Sequence, residues 1–187
     1  MIFEKAYQKT AAIEGGYANN SADKGGETYC GISRRFWPRW EGWTYIDKTK
    51  AVRVILHNEI FPELADKVKL FYRTNFWYKI KGDYMTSEKI AEEVYDGAVN
   101  CGVHEAAFWL QKALNVLNRE ATLWPDIKVD GIIGSDTIHK LQTALTQNKE
   151  ANILKCLQIQ RGFFYFHIAY CREDQEIWLE NWLSRLS

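Results

Sequence analysis

No stretch of this 187-residue chain approaches the roughly 20 uninterrupted apolar residues that a membrane helix needs, so membrane insertion is not expected. Charge of one sign is not in excess either. The 24 basic residues meet 24 acidic ones, which removes the general attraction to nucleic acid and other polyanions that a strongly basic chain would show. Ile2 and Phe3 run straight into Glu4 and Lys5, leaving no hydrophobic signal-peptide region, and synthesis as a soluble cytoplasmic chain is the expectation. The four cysteines, Cys30, Cys101, Cys156 and Cys171, lack C-x-x-C spacing and are expected as reduced thiols. Cys156 and Cys171 fall on one predicted helix, about 22 Å apart along its axis and too far to bridge. His57, His104, His139 and His167 are scattered without ligand spacing, so neither a metal nor another cofactor is expected. Internal repeats and low-complexity segments are absent.

What the chain does have is apolar and aromatic content, 47% and 14% with eight tryptophans, arranged mostly at helical spacing. That is enough for a core with aromatics left over for a cleft. Ile2, Phe3, Ala6, Tyr7, Thr10, Ala11 and Ile13 predict an amphipathic first helix. A second helix is expected from Asp47 or Thr49 through Val52, Ile55, Leu56 and Ile60, interrupted by Pro62. Others are expected over 64–78, from Ser87 to Cys101, over 104–117, from Ser135 or Asp136 to Thr146, and over 152–170. The last of these carries Leu154, Leu157, Ile159, Phe163, Phe164, Phe166 and Ile168 and reads as a largely buried helix.

The densest chemistry lies in Glu14-Gly15-Gly16-Tyr17 through Asp23-Lys24-Gly25-Gly26-Glu27-Thr28 to Gly31-Ile32-Ser33. Glu14 ends the first predicted helix, and Gly15-Gly16 is a stop signal. A carboxylate there faces the negative end of the helix dipole, which raises its pKa and suits a general acid working near neutral pH. The alternative is a surface glutamate beside a helix stop. Asp23 lies in a loop able to fold back on Glu14. Hydrolysis of a glycosidic bond uses one carboxylic acid to protonate the leaving oxygen and a second carboxylate to activate water or stabilise the oxocarbenium-like state. Glu14 and Asp23 are the natural pair, with Thr28 able to orient the water. For Asp23 an Asx turn and for Thr28 an ordinary strand position are the competing readings.

These residues resemble the bacterial and phage muramidases of glycoside hydrolase family 108, first described as secretion activators. That family's signature runs Glu-Gly-Gly-aromatic, then an Asn- and Asp-rich loop, then Asp-x-Gly-Gly-x-Thr and Gly-Ile-Ser. Here it is Glu14, Gly15, Gly16, Tyr17, Asn19, Asp23, Gly25, Gly26, Thr28, Gly31, Ile32 and Ser33. The loop departs from the commoner Asn-Asp-Pro, with Asn20 and Ser21 in the last two places. Spacing also resembles the Glu-Asp-Thr triad of inverting phage lysozymes, whose second gap is one residue longer. Carboxyl groups about 5 Å apart would favour retention, and roughly 6.5–9.5 Å inversion.

A second block, Asp96-Gly97-Ala98-Val99-Asn100-Cys101-Gly102, resembles the family's Asp-x-Ala-Val-Asn-x-Gly segment. Asp96 and Asn100, one helical turn apart, either line the cleft and bond sugar groups or tie the helix together. Further on, Arg161, Gly162, Phe163 and Tyr165 resemble the family's Arg-x-x-Phe-Tyr stretch. Trp178, Asn181, Trp182 and Arg185 resemble its closing Gly-Trp-x-x-Arg, with Asn181 in place of the glycine. Arg185 is expected to pair with a buried carboxylate or cap the last helix. Asp130-Gly131-Ile132-Ile133-Gly134-Ser135-Asp136-Thr137 looks like small peptidoglycan-binding modules, although a turn and a capped helix explain the same residues.

The resemblance implies a mainly α, lysozyme-like fold with a catalytic glutamate at the end of the first helix and a small loop and β region after it. It implies a catalytic lobe over 1–92 and a helical lobe over 93–187. The activity implied is cleavage of the β-1,4 bond between N-acetylmuramic acid and N-acetylglucosamine in peptidoglycan. Glu14, Asp23 and Thr28 would be catalytic, and Tyr17, Asn19, Tyr29, Asp96 and Asn100 would bind substrate. Trp37 and Trp43 join Tyr17 and Tyr29 as candidates to stack on sugar rings. A phage or prophage endolysin, monomeric and released through a holin, is the leading expectation. A non-catalytic cell-wall binding or secretion-associated protein is the alternative.

Overall fold

Helix α1 (Ile2–Ala11) forms because Phe3, Ala6 and Thr10 share one face, and all three are buried. Its Tyr7 ring packs between Phe3 and Tyr72, at 5.7 and 5.9 Å, and Glu4 pairs with Lys69. The computed structural model describes residues 1–11, 15–19 and 26–186. The expected closing residues of the first helix, including Glu14, lie outside them. Chain contacts separate two compact units, Phe3–Asn75 with Met1 and Phe76–Ser187 with Ile2.

In the first unit, β1 (Tyr17–Ala18), β2 (Thr28–Tyr29) and β3 (Ile32–Ser33) make an antiparallel sheet in that order. Tyr17 faces Tyr29, Ala18 faces Thr28, and Thr28 in turn faces Ser33. The β2–β3 turn is Cys30-Gly31, with φ of 46° and 74°, the left-handed pair that a two-residue hairpin requires. Strands this short supply few ladder bonds, and other groups complete the job. Tyr29 is buried, stacks on Trp40 and Phe61, and accepts the Phe61 N–H at 2.7 Å. The Tyr72 hydroxyl donates to the Cys30 carbonyl at 2.8 Å.

Helix α2 runs over Gly42–Lys50, and the expected helix through Ile60 is not formed. Residues 51–60 are irregular, Asn58 takes φ of 61°, and Val52, Val54, Leu56 and Ile60 are exposed. The reason is tertiary. Tyr17 N–H donates to the Glu59 carbonyl and Asn58 N–H to the Tyr17 carbonyl, so this segment serves as a pairing partner for β1, which a helix cannot do. A 3-10 turn (Pro62–Leu64) leads into α3 (Ala65–Tyr72), followed by a π turn (Arg73–Trp77), close to the expected 64–78.

The second unit holds α4 (Glu88–Cys101), α5 (Val103–Val116), α6 (Ser135–Thr146), α7 (Glu150–Cys171) and α8 (Leu179–Leu183). Ser87 caps α4 by accepting the Ile90 N–H, as expected. Helix α6 instead has Gly134 at its cap position, without the side-chain bond anticipated from Ser135 or Asp136. Helix α7 is not largely buried. It packs Ile153, Leu157, Arg161, Tyr165 and Ala169 inward, while Ile159, Phe163 and Phe166 face solvent. The described residues are 62% helical, with eight α-helices among them, so the chain is mainly α with a small β region after the first helix. Its four cysteines are free thiols.

Candidate functional site

The described part of the Glu14 motif is anchored from below. A Cβ on Gly16 would lie 2.4 Å from the Asn58 carbonyl oxygen, so only glycine allows the backbone to sit this close. Next to Thr28, the Glu27 carboxylate accepts from the Tyr17 hydroxyl at 2.9 Å and Lys50 Nζ at 2.7 Å, and its second oxygen forms an ion pair with Arg34 Nε at 2.6 Å. Arg34 also forks onto Asp47, at 2.7 and 3.0 Å. Partial burial pulls the Lys50 ammonium down and the Glu27 contact more than reverses it. Burial, then the bond to Glu27, raises the Tyr17 phenol. Glu27 is thus a fastener, its oxygens already engaged by Tyr17, Lys50 and Arg34.

Along this edge lies a groove of about 530 Å³ lined by Tyr17, Asn19, Lys50, Arg53, Val54, Ile55 and His57. The Arg53 fork onto Glu59, reinforced by the Leu56 N–H at 2.9 Å, holds the outer wall and keeps the Glu59 carboxyl below its ordinary value. The groove offers an amide, an imidazole and two ammonium- or guanidinium-bearing stems. These suit hydroxyl, acetamido and carboxylate groups of a ligand. Lys50, Arg53 and His57 carry no motif; Lys50 closes α2, and the place of Arg53 and His57 follows from the irregular 51–60 segment, which helical reading hid.

Of the expected site residues, Tyr17, Asn19 and Thr28 belong to this region, Thr28 half-buried on β2. Glu14 and Asp23 lie outside the described residues, as do Asn20, Ser21 and Gly25 of the loop. Tyr29 and Trp43 are core residues, and the Trp43 indole donates to the Trp37 carbonyl at 2.8 Å. Trp37 is partly exposed, edge-on to Phe71 at 4.9 Å, in a second groove of about 420 Å³ with Phe36, Trp40 and Leu70.

Asp96 and Asn100 lie in the second unit, where Arg161 enters almost fully buried. Its Nη1 is 2.8 Å from Asp96 Oδ2 and 3.4 Å from Glu93 Oε1, and its Nη2 donates to the Arg185 carbonyl. Arg185 approaches the other Asp96 oxygen at 3.6 Å, pairing with a carboxylate that is partly exposed rather than the buried one expected. Asn100 Nδ2 donates to Asp96 Oδ1 and to the Asp96 carbonyl. Burial raises the Glu93 carboxyl, outweighing the pull of Arg161.

The Asp130-Gly131 stretch is spoken for internally. Gln111 donates to Asp130 Oδ1 and the Ile132 carbonyl, both at 3.0 Å, and accepts the N–H groups of Asp130 and Gly131. Asn115 bonds both backbone groups of Ile127, and Asn118 bonds Asp126 and the Ala121 N–H. Three amides at i, i+4 and i+7 therefore clamp the loop that precedes α6. No group of metal-binding residues and no helix able to cross a membrane is found among the described residues.

Residues 7–102 match the family described as Glycosyl hydrolase 108, a span that takes in the whole Glu14 motif. Residues 105–187 match a family described as Predicted Peptidoglycan domain. Among solved structures, the chain is similar to that of Brucella abortus SagA, at 21% identity and a TM-score of 0.63, over 98% of this chain and 92% of that one. At that identity the likeness speaks to the fold. No curated protein matches the sequence.

Proposed function

This chain belongs to glycosyl hydrolase family 108 and is a glycoside hydrolase of peptidoglycan; we propose that it is an N-acetylmuramidase. On this reading it hydrolyses the β-1,4 bond between N-acetylmuramic acid and N-acetylglucosamine. Glu14 protonates the leaving oxygen, Asp23 supplies the second carboxylate, and Thr28 orients the attacking water. The observation that carries the reading is the groove along the motif, whose wall includes Tyr17 and Asn19. Asn19, exposed at its mouth, takes the role of sugar contact, with Tyr17 held beneath it by Glu27. In the second unit Asn100 is the exposed member of its pair, and Asp96 orients its amide. Tyr29 acts from behind, by fixing the sheet that bears Thr28.

The biological setting on this reading is lysis by a phage or prophage, with a holin providing release. The test is solubilisation of purified murein by wild type beside Glu14→Gln, with mass spectrometry of the fragments and circular dichroism of both proteins. Reducing N-acetylmuramic acid ends from wild type, and a loss of about 10²- to 10⁴-fold in a folded mutant, are expected. Reducing N-acetylglucosamine ends would make it a glucosaminidase. Binding without any release would favour a non-catalytic wall protein.

A further inference from the structure

Helix α7 has two apolar faces, and its own unit uses one. Ile153, Leu157, Arg161, Tyr165 and Ala169 are the buried row. On the other side Ile159, Phe163, Phe166 and Tyr170 are 62%, 69%, 55% and 79% exposed. At 100° per residue the two rows are centred about 170° apart, so the exposed row points directly away from the core. Single apolar residues on a surface are ordinary, but four large ones in line over three turns mark a contact surface.

The order of the row says which contact. Its steps of four, three and four read the same in both directions along the helix. A two-fold axis passing between Phe164 and Tyr165 therefore sets Ile159 opposite Tyr170 of a second copy, and Phe163 opposite Phe166. Every member of the row then meets another member, at the spacing of a coiled-coil seam. The ends agree with this pairing. Lys155 extends the row at its N-terminal end, while Glu173 and Asp174 follow its C-terminal end, and all three are exposed. The same axis brings Lys155 to the C-terminal end of α7 in the second copy, where the chain turns at Arg172 into the 3-10 turn that carries Glu173 and Asp174. A parallel pair would instead set Lys155 against Lys155. Glu150, at the basic end, accepts from Ser87 at 2.6 Å and is turned away from the row.

The area is sufficient. With aromatic side chains offering about 150–250 Å² each, the four residues present roughly 500 Å² per chain, or about 1,000 Å² for a pair. That reaches the lower edge of specific interfaces, about 1,000 Å². We propose that the chain forms a homodimer through antiparallel packing of α7 against α7 of a second copy. This replaces the expectation of a monomer and is independent of the catalytic reading.

Sedimentation velocity over a concentration series tests it. Wild type sediments as a reversible dimer of the 21.9 kDa chain. Phe163→Glu, an exposed position whose change leaves circular dichroism intact, sediments as a monomer wherever wild type is dimeric. Lys155→Glu raises the dissociation constant roughly tenfold, because symmetry counts the pair twice. Adding Asp174→Lys returns it to within about twofold of wild type. A wild type monomeric throughout, or a dimer that survives Phe163→Glu, overturns the proposal. So does a charge swap that fails to restore the dimer. A monomer whose murein or vesicle binding is lost with Phe163→Glu would also overturn it, and assign the row to that surface.

Discussion

The two units of this chain both contain tightly paired charges, yet they use them differently. In the first, Glu27, Arg34, Asp47, Lys50, Arg53 and Glu59 are linked at or near the surface around a groove. The strands there are two residues long and the segment after α2 is irregular, both too short to hold themselves, and side-chain ion pairs fasten them. In the second, Arg161 is drawn into a helix interface between Glu93 and Asp96, and Gln111 is buried under a loop. Long helices already fix that backbone, so its polar groups specify which face meets which. Loss of a surface fastener leaves its partner in water at small cost. Loss of a buried one strands its partner without solvent.

The largest effect expected belongs to chemistry rather than stability. Glu14→Gln should remove murein solubilisation while the melting temperature stays within a degree or so. A parallel fall in melting temperature would show that Glu14 fastens the first unit as well. Next, Arg161→Met leaves Asp96 and Glu93 facing a thioether, and chemical denaturation should show a loss of about 3–5 kcal/mol. Adding Asp96→Leu should recover part of it. A loss below about 1 kcal/mol would put Arg161 in the class of the surface pairs.

Gln111→Leu orphans the N–H groups of Asp130 and Gly131 and the Ile132 carbonyl, for an expected loss of about 2–4 kcal/mol by the same measurement. Gly16→Ala forces a methyl group toward the Asn58 carbonyl and should cost about 1–3 kcal/mol. Its murein activity should fall further than its stability, since the motif backbone must shift. Equal losses in both would mean that the motif tolerates displacement.

The smallest effect is expected at Asp47. The Arg34 hydrogen bond holds its carboxyl below its ordinary value. A depressed folded-state pKa contributes stability above the unfolded value and loses it as pH falls through the folded one. Asp47→Asn should therefore cost less than about 1 kcal/mol at pH 7. The difference should fade below about pH 4 and in high salt. A difference independent of both would show that the site is fastened by packing.

The helices of the second unit were legible as sequence because their apolar residues recur at 3.6-residue spacing and Ser87 marks one start. The Glu14 motif was legible because its glycines and carboxylates fall in the order and spacing of the family that matches residues 7–102. The amides Gln111, Asn115 and Asn118 left a signal in their i, i+4, i+7 spacing, but polar residues on a helix ordinarily mean a solvated face. Which they were depended on the loop from 118 to 134 lying over them. Val52 to Ile60 has apolar residues at spacings compatible with a helix, and it became irregular because β1 takes Asn58 and Glu59 as hydrogen-bond partners. The aromatic stretch of α7 determined a helix with apolar residues all round. Only packing decided which row went inside, because periodicity places residues on faces and says nothing of which face finds a neighbour.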